Sequence, residues 1–306
     1  MRIRRRTFFK IGAAAGAAAI ASRPREASAA VTPARVDTPA VLVDTTKCVG
    51  CRACEAACAE ANGLPGPALA GDGQVYDSRR DTGTQAFTVV NRFEAKGAPV
   101  RFAKKQCMHC LDPGCASACI ARAIEKTPEG PVVYHGEHCL GCRYCMVACP
   151  FDVPKFEYES AAPYVRKCTF CAERQANGMA PACTSVCPSG ALTFGTRDAL
   201  LEGARERLYR PGSQYVRHIY GEREAGGTSW LYISDRPLDQ LGFKSNVLMQ
   251  SIPSLTQPAL AAVPFILTLW PPLLMGLYTF SQKRALAAGE RPGGAHAADP
   301  EEVRHA

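Results

Sequence analysis

The 306-residue sequence holds no P-loop, no glycine-rich dinucleotide fingerprint and no Ser-His-Asp arrangement, so nucleotide-driven chemistry and triad hydrolysis have no residues to carry them. No isolated carboxylate pair demands an acid–base role. A folded basic face is missing as well. The net charge is +8, but Arg2, Arg4, Arg5, Arg6, Lys10, Arg23 and Arg25 against Glu26 place +6 of it in residues 1–29. The remaining +2, with no basic–aromatic weave, excludes nucleic acid as a partner. Apolar content of 47% with 21% charge excludes wholesale disorder. The length corresponds to about two domains at roughly 150 residues each, enough for a real core. What the chain has in excess is cysteine. Sixteen residues are about 5% of it, below the roughly 8–10% of a short disulfide scaffold and too many for an ordinary enzyme.

Both ends read as membrane-related. A basic leader, the short Ala/Gly-rich run Ile11–Ile20 and the small-residue pattern Ala27-Ser28-Ala29 read as an export signal at 1–29, too short to span a bilayer. Arg5-Arg6-Thr7-Phe8-Phe9-Lys10 looks like the twin-arginine motif, with Arg4 where Ser or Thr is usual. A Sec signal with surplus arginine is the other reading. Twin-arginine export moves folded proteins, as a cofactor inserted in the cytoplasm requires. No charge occurs between Lys244 and Lys283, and Pro258–Phe280 is a 23-residue, mostly apolar run followed by Lys283-Arg284. That is long enough to span, and the basic flank places the C-terminus in the cytoplasm and the body on the periplasmic face. Pro264, Pro271 and Pro272 interrupt the run, so a buried hairpin is the competing reading; in a bilayer such prolines hint at a partner helix. Residues 285–306 read as a polar tail, whose His296 and His305 are too sparse for a metal site.

All sixteen cysteines fall into four groups of four. They are Cys48, Cys51, Cys54 and Cys58; Cys107, Cys110, Cys115 and Cys119; Cys139, Cys142, Cys145 and Cys149; and Cys168, Cys171, Cys183 and Cys187. Groups one and three have the spacing C-x2-C-x2-C-x3-C of bacterial ferredoxins, in which three thiolates wrap one [4Fe–4S] cube and the fourth reaches another. Two-residue gaps turn three sulfurs onto one cube, and the following x3 step carries the last sulfur away. Small neighbours such as Ala53, Ala56, Ala57 and Ala148 let backbone N–H groups approach sulfur. Pro150 and Pro188 direct the chain out of the third and fourth groups. A zinc tetrahedron fits four cysteines packed within eleven residues badly, although group four alone passes for a zinc ribbon. Disulfides suit an oxidising compartment but not the cube spacing.

Short β-rich runs flank the groups at Ala40–Val43, Val100–Ala103, Pro131–His135 and Ala191–Phe194. The 48 residues between Cys58 and Cys107, with β-rich Ala86–Val90, read as an inserted loop or hairpin. Thr196-Arg197-Asp198 reads as the cap of a helix running to about Leu208. His109 reads as a turn residue or a donor to cluster sulfur, since no cysteine is missing for it to replace. Tyr144, Phe151 and Phe170 read as packing against the cubes, with electron relay as the sharper alternative. Lys104, Lys105 and Lys155 read as solvated surface or as facing a partner.

The segments QCMHC (106–110), CRYCMVACPFDVPKF (142–156), KCTFC (167–171) and CPSGALTFGTRDAL (187–200) resemble the four-cluster ferredoxin-like subunits of membrane-bound oxidoreductases, over about residues 40–250. The stretch 220–243 resembles the segment such subunits carry before a C-terminal helix. Within the group the chain is most similar to the ferredoxin subunits of hydrogenase-2-type uptake hydrogenases, which have their own export signal, and also to formate dehydrogenase beta subunits, which generally do not. The resemblance implies an α+β fold of two intertwined ferredoxin-like dicluster modules at 40–200, a β-containing extension at 201–250 and a single transmembrane helix at 258–280. It implies no catalytic residue and four [4Fe–4S] clusters. By position, Cys48, Cys51, Cys54 and Cys187 would hold the first and Cys58, Cys168, Cys171 and Cys183 the second. Cys107, Cys110, Cys115 and Cys149 would hold the third and Cys119, Cys139, Cys142 and Cys145 the fourth. It further implies a catalytic partner subunit, either a [NiFe] hydrogenase or a molybdopterin enzyme. The other partners implied are a quinone-reactive integral membrane subunit and lipid.

Overall fold

The computed structural model describes residues 38–67, 73–95 and 97–288; the expected export signal and the tail beyond 288 lie outside them. In chain order, strand β1 (Pro39–Asp44) leads to helix α1 (Ala53–Ala61) and the hairpin β2 (Val89–Ala95) and β3 (Ala98–Lys105). Helix α2 (Gly114–Ser117), the hairpin β4 (Ile124–Lys126) and β5 (Val132–Tyr134) and helix α3 (Tyr144–Val147) follow. Then come the short hairpin β6 (Lys155–Phe156) and β7 (Val165–Arg166), helices α4 (Ala172–Ala176) and α5 (Ala182–Ser185), strand β8 (Leu192–Thr196) and helix α6 (Arg197–Tyr209). Strand β9 (Trp230–Ile233) and the long helix α7 (Ile252–Ala287) complete the described chain. The four expected β-rich runs lie in β1, β3, β5 and β8, and the insertion between groups one and two forms the β2–β3 hairpin.

β1 is the spine of the body. It pairs antiparallel with β8, Val41 opposite Phe194, and parallel with β9, Val41 opposite Trp230. Alternate side chains of a strand point to opposite faces, and β1 is apolar from Pro39 to Val43 because both of its faces are covered. Ala40 and Leu42 pack with Leu200, Leu201, Ala204 and Leu208 of α6 and with Leu231 and Ile233. Val41 and Val43 face the other way, into a core containing Cys58, Cys107, Cys168, Cys183, Phe170, Trp230 and Tyr232. Each such aliphatic side chain contributes about 1.5–3 kcal/mol by leaving water. One strand thus separates an ordinary core from a cysteine-bearing one.

Two details differ from the sequence reading. Residues 201–250 do not stand apart from the body: α6 begins at 197, and β9 completes the central sheet through a pairing 189 residues away from β1 in sequence. The α6 start is where expected, but the Thr196 hydroxyl makes no capping bond. Thr196 is held by its ladder position opposite Pro39, and the Arg197 N–H donates to Thr38 O at 2.9 Å instead.

The insertion is tied to α1 through a buried carboxylate. Glu55, between Cys54 and Cys58, accepts from Arg80 Nη1 at 3.0 Å and Nη2 at 2.6 Å, from Arg52 Nε at 3.3 Å and from the Val90 N–H at 2.5 Å. Arg80 and Asn91 exchange a second pair of bonds at 2.9 and 2.8 Å, fixing the segment before β2 to the strand.

α7 starts at a Ser251 cap, whose hydroxyl accepts from the Ser254 N–H at 3.3 Å, with Pro253 in the first turn. It is longer at both ends than the expected 258–280, because this N-terminal stop lies upstream of the apolar run and the Lys283-Arg284 turn is itself helical. Pro258, Pro264, Pro271 and Pro272 lie inside it. The helix is long and apolar enough to cross a membrane, and its apolar window is wholly exposed. It leaves the body beside groups two and three. A Cβ at Gly114 would lie 2.9 Å from Ala148 O and 3.2 Å from Ile252 Cβ, so a glycine is needed where α2, α3 and α7 meet.

Replacing Glu55 leaves the Val90 N–H without its acceptor and takes from Arg80 its carboxylate partner, leaving Nη2 only the Val90 carbonyl at 2.9 Å. Glu55→Ala is expected to cost on the order of 3 kcal/mol, read as a fall in the denaturant midpoint, with cleavage by added protease moving into residues 73–95.

Candidate functional site

The four cysteine groups repeat one local geometry. The third cysteine of each occupies the second residue of a short helix: Cys54 in α1, Cys115 in α2, Cys145 in α3 and Cys183 in α5. The fourth follows four residues later, near the helix end or just beyond it. The residue before the second cysteine always has positive φ: Gly50 at 73°, His109 at 46°, Gly141 at 68° and Phe170 at 56°. This left-handed turn folds the loop back on its first sulfur. The Gly141 N–H lies 3.4 Å from Cys139 Sγ and the Phe170 N–H 3.4 Å from Cys168 Sγ. Gly50 is doubly required, since a Cβ there would fall 2.5 Å from the Phe102 ring of β3. Groups one and three enter their helices through left-handed arginines, Arg52 and Arg143, whereas groups two and four use Pro113 and Pro181.

The two non-glycine turns meet. His109 and Phe170, both essentially fully buried, stack with centroids 4.8 Å apart and planes at 28°. This joins group two to group four. His109 Nδ1 accepts from the Val132 N–H at 2.9 Å, which places the ring proton on Nε2. Burial holds its pKa well below the usual value, with Lys167 adding to the effect, so the ring is neutral.

The helices pack in the combination that brings groups together: α1 against α5, for groups one and four, and α2 against α3, for groups two and three. One cavity is lined by Cys48, Cys51, Cys54 and Cys187 with Val43, Lys104 and Leu192 in its wall. Another is lined by Cys119, Cys139, Cys142 and Cys145 with Ile124 and Tyr134. The other eight cysteines are also neighbours in fours. Cys58 lies within electrostatic reach of Cys171 and Cys183, and Cys168 of Cys58; Cys110 lies within reach of Cys107, Cys115 and Cys149. Pairs that cross between fours are Cys54 with Cys183, Cys107 with Cys168, and Cys115 with Cys145. They link the four sets in succession, each to the next.

The chemistry of these donors fits an iron–sulfur cube. Burial pushes the Cys54, Cys58 and Cys115 thiols up to about 12 and Cys145 up to about 11, with neighbouring cysteines raising them further. Left free, they would stay protonated at neutral pH; coordination to a metal removes the proton outright. All sixteen are free of disulfides, and among the described residues no three His, Cys, Asp or Glu side chains converge closely enough to hold a single ion. Cube corners lie farther apart than the corners of a zinc tetrahedron, so the spread suits the former. Two buried donors with no hydrogen-bond partner among the described residues, Lys126 Nζ and Trp230 Nε1, lie near these cysteines and suit an anionic group. Further N–H contacts to sulfur come from Ala123 N on Cys119 at 3.2 Å and Asn62 Nδ2 on Cys58 at 3.7 Å. The sequence reading named neither; Asn62 follows the helix end four residues after its cysteine, and that spacing was the available signal.

The structure changes the reading at Lys104 and Tyr144. Lys104 is buried rather than solvated, whereas Lys105 and Lys155 are partly exposed and both pair with Asp81, at 2.7 and 3.6 Å. Tyr144 is 62% exposed and so packs in no core, because the turn at Arg143 sends it outward; Phe151 and Phe170 are buried as expected.

Loops of this kind on a mixed helix–strand body define an iron–sulfur protein of ferredoxin type. Two family models, both described as 4Fe-4S dicluster domain, match residues 47–123 and 98–197. A protein of Nitratidesulfovibrio vulgaris Hildenborough is 45% identical over 293 residues, covering 94% of this chain and 79% of its own. Hydrogenase-2 operon protein HybA of Escherichia coli O157:H7 is 36% identical over 236 residues, 66% of this chain and 71% of that one. The iron–sulfur subunit of the nitrate-inducible formate dehydrogenase of Escherichia coli K12 is 36% identical over 241 residues, 75% and 81% of the two chains. The chain belongs to this family of 4Fe-4S dicluster proteins, and its two dicluster domains and sixteen cysteines provide for four [4Fe–4S] clusters.

His109→Ala removes both the stack on Phe170 and the acceptor of the buried Val132 N–H. A loss of about 2 kcal/mol is expected, measured as a lower thermal midpoint of the iron-loaded protein.

Proposed function

We propose that the chain is the electron-conducting subunit of a membrane-bound, periplasm-facing oxidoreductase. It carries electrons from a [NiFe] hydrogenase catalytic subunit, through four clusters, to a quinone-reactive membrane subunit. The observation that carries the reading is the succession of four cysteine sets ending in the two exposed cysteines, Cys51 and Cys142. Exposed Val49 and Val186 surround the first end; Ile120, Leu140 and Val147, the most exposed at 89%, 75% and 83%, surround the fourth. Both ends thus offer apolar surface for a docked redox partner. The fourth lies in the module from which α7 departs, which suits exit towards the membrane.

The ligand sets follow the neighbours described above. The first cube takes Cys48, Cys51, Cys54 and Cys187, and the second Cys58, Cys168, Cys171 and Cys183. The third takes Cys107, Cys110, Cys115 and Cys149, and the fourth Cys119, Cys139, Cys142 and Cys145. A bound cube takes up and releases one electron with little rearrangement. The chain's own part is to hold the sulfurs, exclude water and supply N–H groups and charge that set the potentials. With every set complete in cysteine, no coordination position is left open for a substrate.

α7 anchors the body, with Lys283 and Arg284 on the cytoplasmic side and the clusters outside. The leader at 1–29 exports the chain after folding and cluster insertion. Its presence on this chain favours the hydrogenase. Formate dehydrogenase is the second reading, supported by equal identity, 36%, to a formate dehydrogenase iron–sulfur subunit. Hydrogen-dependent against formate-dependent dye reduction by the co-purified complex separates the two.

Two experiments test the wire and its placement. In protein made anaerobically, with iron and acid-labile sulfide matching four cubes, Cys187→Ser and Cys51→Ser should lose the same EPR signal and Cys142→Ser a different one. If Cys187→Ser loses the signal missing in Cys142→Ser, the pairing is wrong. A reporter that functions only in the cytoplasm should be active when fused after Ala306; silence reverses the orientation.

A further inference from the structure

Lys104 has no ordinary reason to be where it is. It sits at the end of β3, 3% exposed, and its Nζ donates to Gln106 Oε1 at 2.9 Å and lies 4.4 Å from the Trp230 ring centroid. Gln106 is held in turn: its Nε2 donates to Tyr232 Oη at 2.6 Å, and that hydroxyl donates to Lys104 O at 3.0 Å. All of these partners are neutral. Among the described residues no carboxylate pairs with this ammonium, whereas Lys105 beside it reaches Asp81. Burying an unpaired charge among neutral groups is strongly unfavourable. The charge must be balanced by something else.

The cysteines are what remains. Lys104 lines the cavity of Cys48, Cys51, Cys54 and Cys187, and its field also reaches Cys58, Cys168 and Cys183. Those residues belong to the first two sets, whereas Lys126 and Lys167 act on members of the third. At the cavity of the fourth set the cation is Arg143, exposed and lying over the Phe156 and Tyr158 rings.

We propose that Lys104 is the shared counter-charge of the first and second clusters, a fixed buried cation that raises both their reduction potentials. This rests on the ligand sets given above. A cube gains one negative charge on reduction, and a nearby positive charge in a low-dielectric interior favours that state. The Gln106–Tyr232 relay and the Trp230 face keep the ammonium in place without neutralising it, so its field stays directed at the sulfurs.

The test is a potentiometric EPR titration of the intact, iron-loaded complex carrying Lys104→Met. Two of the four midpoints should fall by at least tenfold in the reduction equilibrium, about 59 mV for a one-electron couple, and the other two should stay. Lys105→Met should move none. Four clusters with unchanged midpoints in Lys104→Met would overturn the role of Lys104 and leave the cluster reading standing. Fewer than four cubes in the unsubstituted complex would overturn the cluster reading itself. If Lys104→Met assembles only two cubes, recovery of the missing pair in Lys104→Arg supports the charge, and failure to recover it assigns Lys104 to shape alone.

Discussion

Burying sulfur beside sulfur is the constraint around which the chain is arranged. Each loop must bring several thiolates to one place, yet thiolates repel one another and lose their water when buried. The left-handed residue before the second cysteine answers both difficulties at once. It closes the loop tightly enough for the first two sulfurs to share a centre, and it turns a backbone N–H towards the first of them. The short helix that follows sets the third sulfur at a fixed offset and carries the fourth to the helix end or just beyond it. Four repetitions of the device account for the local structure of all sixteen cysteines.

The rest of the body keeps these loops in register. β1 provides a shared wall, with α6 on one face and the sulfur-bearing core on the other. The His109–Phe170 stack joins loops from the two modules, so the second and third cysteine sets are bridged by the two of the four turns before a second cysteine that adopt the left-handed backbone without glycine. Glu55 performs a related task for the insertion, holding the segment from Arg80 to β2 against the helix of group one. Rigid spacing of this kind suits one-electron exchange, because neither the loops nor their surroundings need to reorganise when charge passes.

Much of the site was legible in the sequence because its chemistry is local. Spacings of two and three residues fix which sulfurs sit on one loop, and Pro, Gly and Ala mark where the backbone turns or comes close. The short strands were legible for the same reason. What escaped was set by contacts far apart in the chain. The parallel pairing of β9 with β1 leaves no short-range signature, so residues 201–250 read as an appendage although they complete the sheet. The Glu55–Arg80 bond spans 25 residues and joins two ordinary charged side chains. Lys104 and Lys105 read alike as neighbours, but strand geometry sends one inward and the other outward.

The join at Gly114 also governs how the apolar helix is phased against the body. Ile252 lies against Gly114 of α2, and α7 rises without interruption from there into its apolar stretch. The seven residues from Ile252 to Pro258 rise about 9 Å along the helix, a short stiff post between the body and the apolar stretch. Each residue added to or removed from that post would turn every outward side chain of the anchor by about 100° relative to the body and move it by about 1.5 Å. Rotation is therefore the more sensitive variable: one extra residue hardly changes the height but presents a different face of the anchor to any neighbouring helix.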